Sequence, residues 1–188
     1  AERDVDKLVD IIASLEPKFG GANLEDIKAP ECFEVERQLR ERMKIPVFHD
    51  DQHGTAIVGA AAIYNGLRIF DKLIKNVKLV VSGAGAASIA CVDLLVEMGL
   101  RKDNVRMIDR NGVIYAGRKE GMNPWKQEYA IETTDRTIAD AIDGADLFMG
   151  LSGPGVLNGE LVKKMGERPI ILAMSNPIPE IMPEEAMT

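Results

Sequence analysis

The stretch VKLVVSGAGAAS, residues 77–88, constrains the fold more than any other part of this 188-residue chain. Its near-continuous apolar start is typical of a strand in a parallel sheet that is covered on both faces. The glycine-rich turn GAGAAS follows, and a helical pattern begins by Ile89 and extends to Met98. A strand, a glycine turn and a helix in this order can receive a pyrophosphate on backbone N–H groups at the helix N-terminus. The stretch therefore predicts an α/β dinucleotide-binding domain.

Strands and helices alternate after residue 76, which favours a doubly wound, Rossmann-like domain. Before residue 76 the helical patterns are longer, with one short predicted strand and a loop or short strand at 19–27, so we place the domain boundary at 71–76. The predicted strands are 45–48, 77–83, 105–108, 146–149 and 170–174, and the predicted helices are 8–15, 31–43, 55–70, 89–98 and 137–142.

The glycine loop has the context that a dinucleotide site requires. Gly83 would allow the tight turn, and Gly85 would let the phosphates approach the backbone. Ser88 replaces the usual third Gly or Ala, a small change that still allows the helix to pack on the strand. Asp109 ends the next predicted strand, 24 residues after Gly85, where an acid would receive the ribose hydroxyl. The alternative is a tight turn in an α/β protein that binds no nucleotide.

The choice between NAD and NADP stays open at this point. Asp109 favours NAD, because its negative charge would repel a 2′-phosphate. Arg110 beside it, or Arg118 and Lys119 beyond a hairpin-like segment, would instead pair with that phosphate. These two patterns conflict.

Two acidic pairs, Glu25-Asp26 and Asp50-Asp51, stand next to predicted loops. Adjacent carboxylates repel each other unless water or a cation compensates. Three carboxylates together with water and substrate oxygens would suit Mg²⁺ or Mn²⁺. The alternative is two solvated turns. The histidines in the segment VFHDDQHGT, His49 and His53, have no helical context for zinc and are expected to pack or to support the acids.

Charge excludes some function classes. The chain carries 30 acidic and 23 basic residues, a net charge of −7, which argues against binding to nucleic acid. No apolar run reaches the length of a membrane span, so we expect a cytoplasmic protein without a membrane partner. Cys32 and Cys91 match no metal-binding or redox spacing and are expected to be buried thiols.

Several long motifs together resemble one family, the malic enzymes, in the bacterial form that carries FHDDQHGTA. They extend over nearly the whole chain in the order GGANLEDIKAPECFEVE, IPVFHDDQHGTAI, SGAGAASIA, MIDRNGVIYAGR, GLSGPGVL and AMSNPIPEI. The resemblance implies NAD(P)-dependent oxidative decarboxylation of malate to pyruvate and CO₂ with a divalent metal, Mg²⁺ or Mn²⁺. It also implies that the full enzyme is a homo-oligomer.

The resemblance implies a role for each matching residue. Glu25, Asp26 and Asp51 match the three metal ligands, and Asp50 matches an acid that supports the catalytic lysine. Asn176 matches an asparagine near the nicotinamide and substrate. The predicted cofactor-binding residues are therefore Gly83, Ala84, Gly85, Ala86, Ala87, Asp109, Arg110 and Asn176.

The family's catalytic tyrosine and lysine have no match in this chain, and neither does a later asparagine. We therefore expect a central segment: residues 1–70 form part of a metal- and substrate-binding lobe with its connecting helix, and residues 71–188 form a dinucleotide-binding domain that is incomplete at its C-terminal end. By itself this chain should not turn over malate. Two alternatives stay open, another NAD(P)-dependent dehydrogenase and a dinucleotide-binding sensor or scaffold without catalysis.

Overall fold

The computed structural model describes residues 2–187, so Ala1 and Thr188, the outermost residues of the two predicted domains, lie outside the described residues. The N-terminal part contains two helices beside two short parallel strands. The elements are α1 (Val5–Ser14), β1 (Ala22–Leu24), α2 (Glu31–Arg42) and β2 (Val47–His49). Strands β1 and β2 pair in register from Ala22↔Val47 to Leu24↔His49. Both helices pack around Val9, Val35 and Leu39, so their apolar faces form one small core.

One π-helical turn, Asp50–Gly54, joins β2 to α3 (Thr55–Ile69). Turns of this kind are rare in proteins, and those that do occur are frequently found at functional sites. The Asp50 carboxylate lies over Gly54, where a Cβ on residue 54 would meet it. The acidic pair of the VFHDDQHGT segment therefore begins this turn.

The C-terminal part is built on a five-stranded sheet. Its elements in chain order are β3 (Leu79–Ser82), α4 (Ala86–Glu97), β4 (Val105–Asp109), β5 (Gly112–Val113), α5 (Pro124–Gln127), α6 (Ile138–Ala141), β6 (Leu147–Gly150), α7 (Gly159–Val162), β7 (Ile170–Ala173) and α8 (Pro183–Ala186). The strand order is β5-β4-β3-β6-β7, with β5 antiparallel at the edge and the other neighbours parallel. Chain order reverses beside β3, where doubly wound sheets bind their ligands.

The sheet is covered on both faces. Leu79 and Val81 pack with α3 and α4 on one side, whereas Val80 and Phe148 belong to a separate core on the other side. Residues 79–82 are all buried, as the apolar run predicted. The α/β fold class with a Rossmann-like sheet is confirmed. Within residues 2–187, no helix is both long and apolar enough to cross a bilayer.

Three one-turn helices were not predicted: α5, α7 and α8. Asn123 and Asn158 begin two of them by accepting a hydrogen bond from the backbone N–H three residues on. Pro183 starts the third. A single turn is too short for an apolar period to show, so only its capping residues signal it.

Candidate functional site

The C-terminal ends of β3, β4 and β6 surround a cavity of about 830 Å³, which we call the strand-end cavity. Its walls come from the glycine loop, the β4–β5 turn and the segment after β6. Because parallel strands end on the same edge of a sheet, residues distant in sequence meet there. The lining residues are Ser82, Gly83, Ala84, Gly85, Ile108, Asp109, Arg110, Asn111, Gly112, Gly121, Lys126, Arg136, Thr137, Ile138, Ser152 and Val156.

Gly83 and Gly85 in the glycine loop have different surroundings. Gly83 has a φ of +117°, and a Cβ there would lie 2.5 Å from the Leu151 carbonyl oxygen. Gly83 is thus required by the fold itself. A Cβ on Gly85 would meet nothing within 4 Å. Space that the protein leaves open beside Gly85, in the wall of the cavity, is available to a ligand.

Helix α4 begins at Ala86, directly after this open space. Gly85 at the N-cap has no side chain with which to cap the helix. The N–H groups of the first turn therefore depend on solvent or a ligand, and the helix dipole favours an anion. Ala84, Ala86 and Ala87, the other predicted loop residues, lie in or next to this turn. Ser88 is buried, which agrees with its predicted packing role.

Asp109 does not face the cavity as a free acid. Its two carboxylate oxygens accept hydrogen bonds from Arg118 Nη2 at 2.6 and 2.7 Å, and Lys126 Nζ donates at 2.7 Å. Burial by itself would raise the pKa of Asp109, but the hydrogen bonds from Lys126, Arg118 and the Asn111 backbone hold it below its ordinary value. Sequence reasoning missed these partners.

The Arg118 guanidinium is also engaged by partners within the chain. It is buried and also donates to the carbonyl oxygens of Gly112, Val113 and Glu120. The side chain that sequence analysis considered for a 2′-phosphate therefore stabilises the β4–β5 turn instead. Lys119 is exposed and is not among the cavity-lining residues.

Arg110, Lys126 and Arg136 all line the cavity, and Asp109 is the one acid in its lining. Three cations and one carboxylate give the lining a net charge of +2, in a chain whose net charge is −7. Arg136 is held in place by stacking on Tyr115, with Cζ 3.7 Å from the ring centroid. Lys126 and Arg136 lie outside the quoted motifs, and their only sequence signal was their positive charge.

The other end of the cavity is formed by the segment after β6. Ser152 lies in the cavity wall, and its hydroxyl meets that of Ser82 at 2.8 Å. Asn176 follows β7, is exposed, and precedes a cis peptide bond to Pro177. It is not part of the cavity lining. Its predicted contact with the nicotinamide stays a prediction.

The predicted metal ligands lie at the adjacent ends of β1 and β2. The Asp26 backbone N–H donates to Asp51 Oδ2 at 2.9 Å, so these two acids are brought together. Glu25 Oε1 accepts from Asn23 Nδ2 at 3.3 Å. All three are exposed, and across residues 2–187 no three acidic, histidine or cysteine side chains converge as a metal-binding group. The oxygen donors themselves are of the type that Mg²⁺ and Mn²⁺ prefer.

The two histidines behave differently. His49 ends β2 and is completely buried. His53 Nε2 lies 2.6 Å from Glu36 Oε1, and Gln52 Nε2 donates to Glu36 Oε2 at 3.2 Å. Glu36 on α2 therefore holds the π-helical turn that begins with Asp50 and Asp51. The two cysteines are buried, as predicted, and burial raises the pKa of Cys32 to about 11 and of Cys91 to about 12.

A doubly wound sheet with an open glycine loop and a cationic cavity at its switch point defines a dinucleotide-binding domain of the dehydrogenase type. Two family models match the chain, "Malic enzyme, NAD binding domain" over residues 52–188 and "Malic enzyme, N-terminal domain" over residues 1–40. The chain belongs to the malic enzyme family. The position of the domain boundary within the chain stays a prediction.

Individual relatives agree with this assignment. The chain is 62% identical to the NADP-dependent malic enzyme of Haemophilus influenzae over 98% of its own length and 25% of that protein. It is 59% identical to an NAD-dependent malic enzyme of Rhizobium meliloti, over 97% of the chain and 24% of that protein. The chain thus spans about a quarter of the length of these relatives.

A solved structure supports the fold over the whole chain. The NAD-dependent malic enzyme of Thermotoga maritima superposes with a TM-score of 0.93 at 44% sequence identity. The match covers 100% of this chain and 50% of that protein. The relatives include both NAD- and NADP-dependent enzymes.

Proposed function

We propose that this chain supplies the dinucleotide site and the metal ligands of a malic enzyme that converts malate and NAD(P)⁺ to pyruvate, CO₂ and NAD(P)H. The observation that carries the proposal is the open space beside Gly85 in a cavity lined by net positive charge. Family membership and the relatives' names support the same reaction. The proposed enzyme is cytoplasmic and homo-oligomeric, acts on a small molecule, and needs no nucleic-acid or membrane partner.

The glycine loop would bind the pyrophosphate through backbone N–H groups of residues 84–87. The positive end of α4 and the cations of the lining would offset the phosphate charge. Asn176 would orient the nicotinamide and the substrate. The nicotinamide, when bound, takes up the hydride released from the malate hydroxyl carbon.

Within this proposal NADP suits the cavity better than NAD. The usual argument for NAD is that an acid at the end of the second strand repels a 2′-phosphate. Here Arg118 and Lys126 offset the charge of Asp109, while Arg110 is exposed at the same end of the cavity. A phosphate would therefore meet a cationic surface, and charge-assisted hydrogen bonds from Arg110 and Lys126 would hold it.

Glu25, Asp26 and Asp51 would hold one Mg²⁺ or Mn²⁺. The hydrogen bond from the Asp26 backbone N–H to Asp51 Oδ2 supports this assignment, because two of the three acids are in contact. The cation, when bound, stabilises negative charge on the substrate oxygens as CO₂ leaves. Asp50 lies over Gly54 in the same turn and would support the family's catalytic lysine, which has no match among these residues.

Gly85→Val tests the dinucleotide site in the 188-residue chain. The valine would fill the open space without meeting other protein atoms at its Cβ, so the fold should be retained while the phosphates are blocked. Trp125 is the single tryptophan and lies next to the cavity residue Lys126, so energy transfer from it to bound NADPH or NADH reports binding. We expect wild type to bind NADPH more tightly than NADH, and Gly85→Val to lose both.

Gly20→Val is the matched control, because a Cβ on Gly20 also meets nothing within 4 Å but Gly20 lies outside the cavity. It should bind NADPH like wild type. Equal affinities for Gly85→Val and Gly20→Val would remove the glycine loop from the proposal. Tighter binding of NADH than NADPH by wild type would refute the NADP preference alone.

A further inference from the structure

Glu180 is a completely buried carboxylate that joins two segments beside the strand-end cavity. It lies beyond β7, in the motif SNPIPE. Its Oε1 accepts a hydrogen bond from the Ser152 backbone N–H at 2.9 Å, and its Oε2 accepts one from the Ser175 N–H at 3.1 Å. Each carboxylate oxygen thus holds a different segment of the chain, one after β6 and one after β7.

The surrounding backbone is shaped to receive this side chain. Gly150 ends β6, and a Cβ there would overlap the Glu180 carboxyl group. The Leu157 N–H donates to the Glu180 carbonyl oxygen at 3.2 Å, and the next residue, Ile181, is buried in the core. Side chain and backbone of Glu180 are therefore both held.

Burying a carboxylate is costly unless hydrogen bonds satisfy it. Within residues 2–187, both hydrogen bonds to the Glu180 side chain come from backbone N–H groups and not from a lysine or arginine. An apolar side chain would fill the same space at lower cost, but it would leave two N–H groups without partners. The role that needs a carboxylate here is to hold both segments at once.

Of the two segments, the one after β6 lines the cavity, and the one after β7 carries Asn176. Ser152 is part of the cavity wall and contacts Ser82 at the end of the central strand β3. Ser175 directly precedes Asn176, the residue predicted to approach the nicotinamide. The Glu180 side chain therefore links the segment that carries Asn176 to the cavity wall in which Ser152 lies.

We propose that Glu180 is a positioning residue, which fixes segments 151–157 and 174–180 around the nicotinamide end of the bound dinucleotide. The inference rests on the proposed function, because it needs a dinucleotide in the strand-end cavity. Glu180 itself is enclosed and acts through the segments that it holds. The adenosine end, near Arg110 and Lys126, should not depend on it.

Glu180→Gln is the sharpest substitution, because it keeps the size but turns one acceptor oxygen into an NH₂ group. That NH₂ would face a backbone N–H, so one segment would lose its anchor. Glu180→Asp keeps the charge but is one methylene shorter and cannot reach both N–H groups. Glu184→Gln, at an exposed position four residues on, is the matched control.

The experiment compares two probes on the 188-residue chain. One is NADPH or NADH, whichever wild type binds more tightly. The other is the matching fragment without nicotinamide, 2′-phospho-ADP-ribose or ADP-ribose. For Glu180→Gln we expect the dinucleotide to bind roughly tenfold more weakly, as for an unsatisfied buried donor, and the fragment to bind unchanged. A variant that is only less stable would lose both affinities together.

The outcomes separate the two proposals. If wild type binds neither probe, the proposed function is wrong. If wild type binds both but Glu180→Gln weakens both equally or neither, the dinucleotide site stands and the positioning role is refuted. If Glu180→Gln does not fold, Glu180→Asp must show the same selective loss, and an unchanged ratio of its two affinities refutes the role.

Discussion

At the scale of single residues, the role of Asp109 depends on the charged side chains around it. Its position after the second strand of the sheet predicts a ribose ligand that selects NAD. The structure surrounds it with Arg118 and Lys126, 9 and 17 residues further along the chain. Asp109 therefore has a structural role, because its negative charge compensates the buried guanidinium of Arg118.

We predict that Asp109→Asn destabilises the chain by about 3–5 kcal/mol near neutral pH, because Arg118 would be left buried without its counter-charge. Urea unfolding measures the free energy of unfolding. Asp103→Asn is the control: that acid is exposed and lies 3.9 Å from Arg101, so its loss should cost no more than about 1 kcal/mol. Equal losses for the two variants would contradict the structural role of Asp109.

The Asp109–Arg118 ion pair also predicts that the free energy of unfolding depends on pH. The pKa of Asp109 is lower in the folded chain than in the unfolded chain. Its contribution to stability is therefore fully present above the unfolded pKa, about 3.9, and is lost as the pH falls through the folded pKa. The difference in unfolding free energy between wild type and Asp109→Asn should shrink below about pH 4.

At the scale of elements, the contact between α3 and α4 depends on small residues. Gly59 of α3 faces α4, where a Cβ would lie 3.9 Å from Cys91 Sγ and 4.0 Å from Met174 Cε. These are ordinary van der Waals distances. The helix that sequence analysis placed at 55–70 is present at Thr55–Ile69, and it lies against α4, the helix that follows the glycine loop.

We predict that Gly59→Ala stabilises the chain by about 0.5–1 kcal/mol, because it lowers the entropy of the unfolded chain without creating a clash. Gly59→Leu should destabilise it by about 1–3 kcal/mol through overpacking. Gly66→Ala is the comparison: its Cβ would lie 2.8 Å from Ile170 Cδ1, so it should gain less. Denaturant unfolding measures the free energy of unfolding of the three variants. A loss of stability in Gly59→Ala would mean that α3 and α4 pack more closely than described.

At the scale of the whole molecule, the three tyrosines have surroundings that do not include the predicted metal ligands. Tyr129 is buried and donates to Asp93, and burial together with that carboxylate raises its pKa. Tyr115 lies under Arg136, and Tyr64 is exposed on α3. None of these contacts involves Glu25, Asp26 or Asp51.

We predict that the 188-residue chain binds Mn²⁺ but does not oxidise malate. Positioned proton transfer contributes about 10²–10⁴-fold to a reaction rate, so a chain without a placed acid should show no measurable turnover. Electron paramagnetic resonance measures free Mn²⁺, and absorbance of NADPH measures turnover. Asp51→Asn should release Mn²⁺ while still binding NADPH. Malate oxidation by the chain alone would show that its own residues supply the acid and base.

The sequence by itself determined the α/β class, the parallel strands and the glycine loop, because each follows from a local pattern: an apolar run, a turn that needs glycine, or a helical period. The resemblance further implies that Glu25, Asp26 and Asp51 share one metal site, which stays a prediction, and β1 and β2 end next to these acids. The longest motifs identified the family, and the family models confirm it.

Only the tertiary structure decided which charges meet. Nothing in the spacing of Asp109, Arg118 and Lys126 shows that they form one cluster, and nothing in SNPIPE shows that Glu180 is completely buried. The physical reason is that strand and turn preferences act over a few residues, whereas the partner of a charged side chain depends on which loops the sheet brings together. The open space beside Gly85 and the crowded space beside Gly83 differ for the same reason.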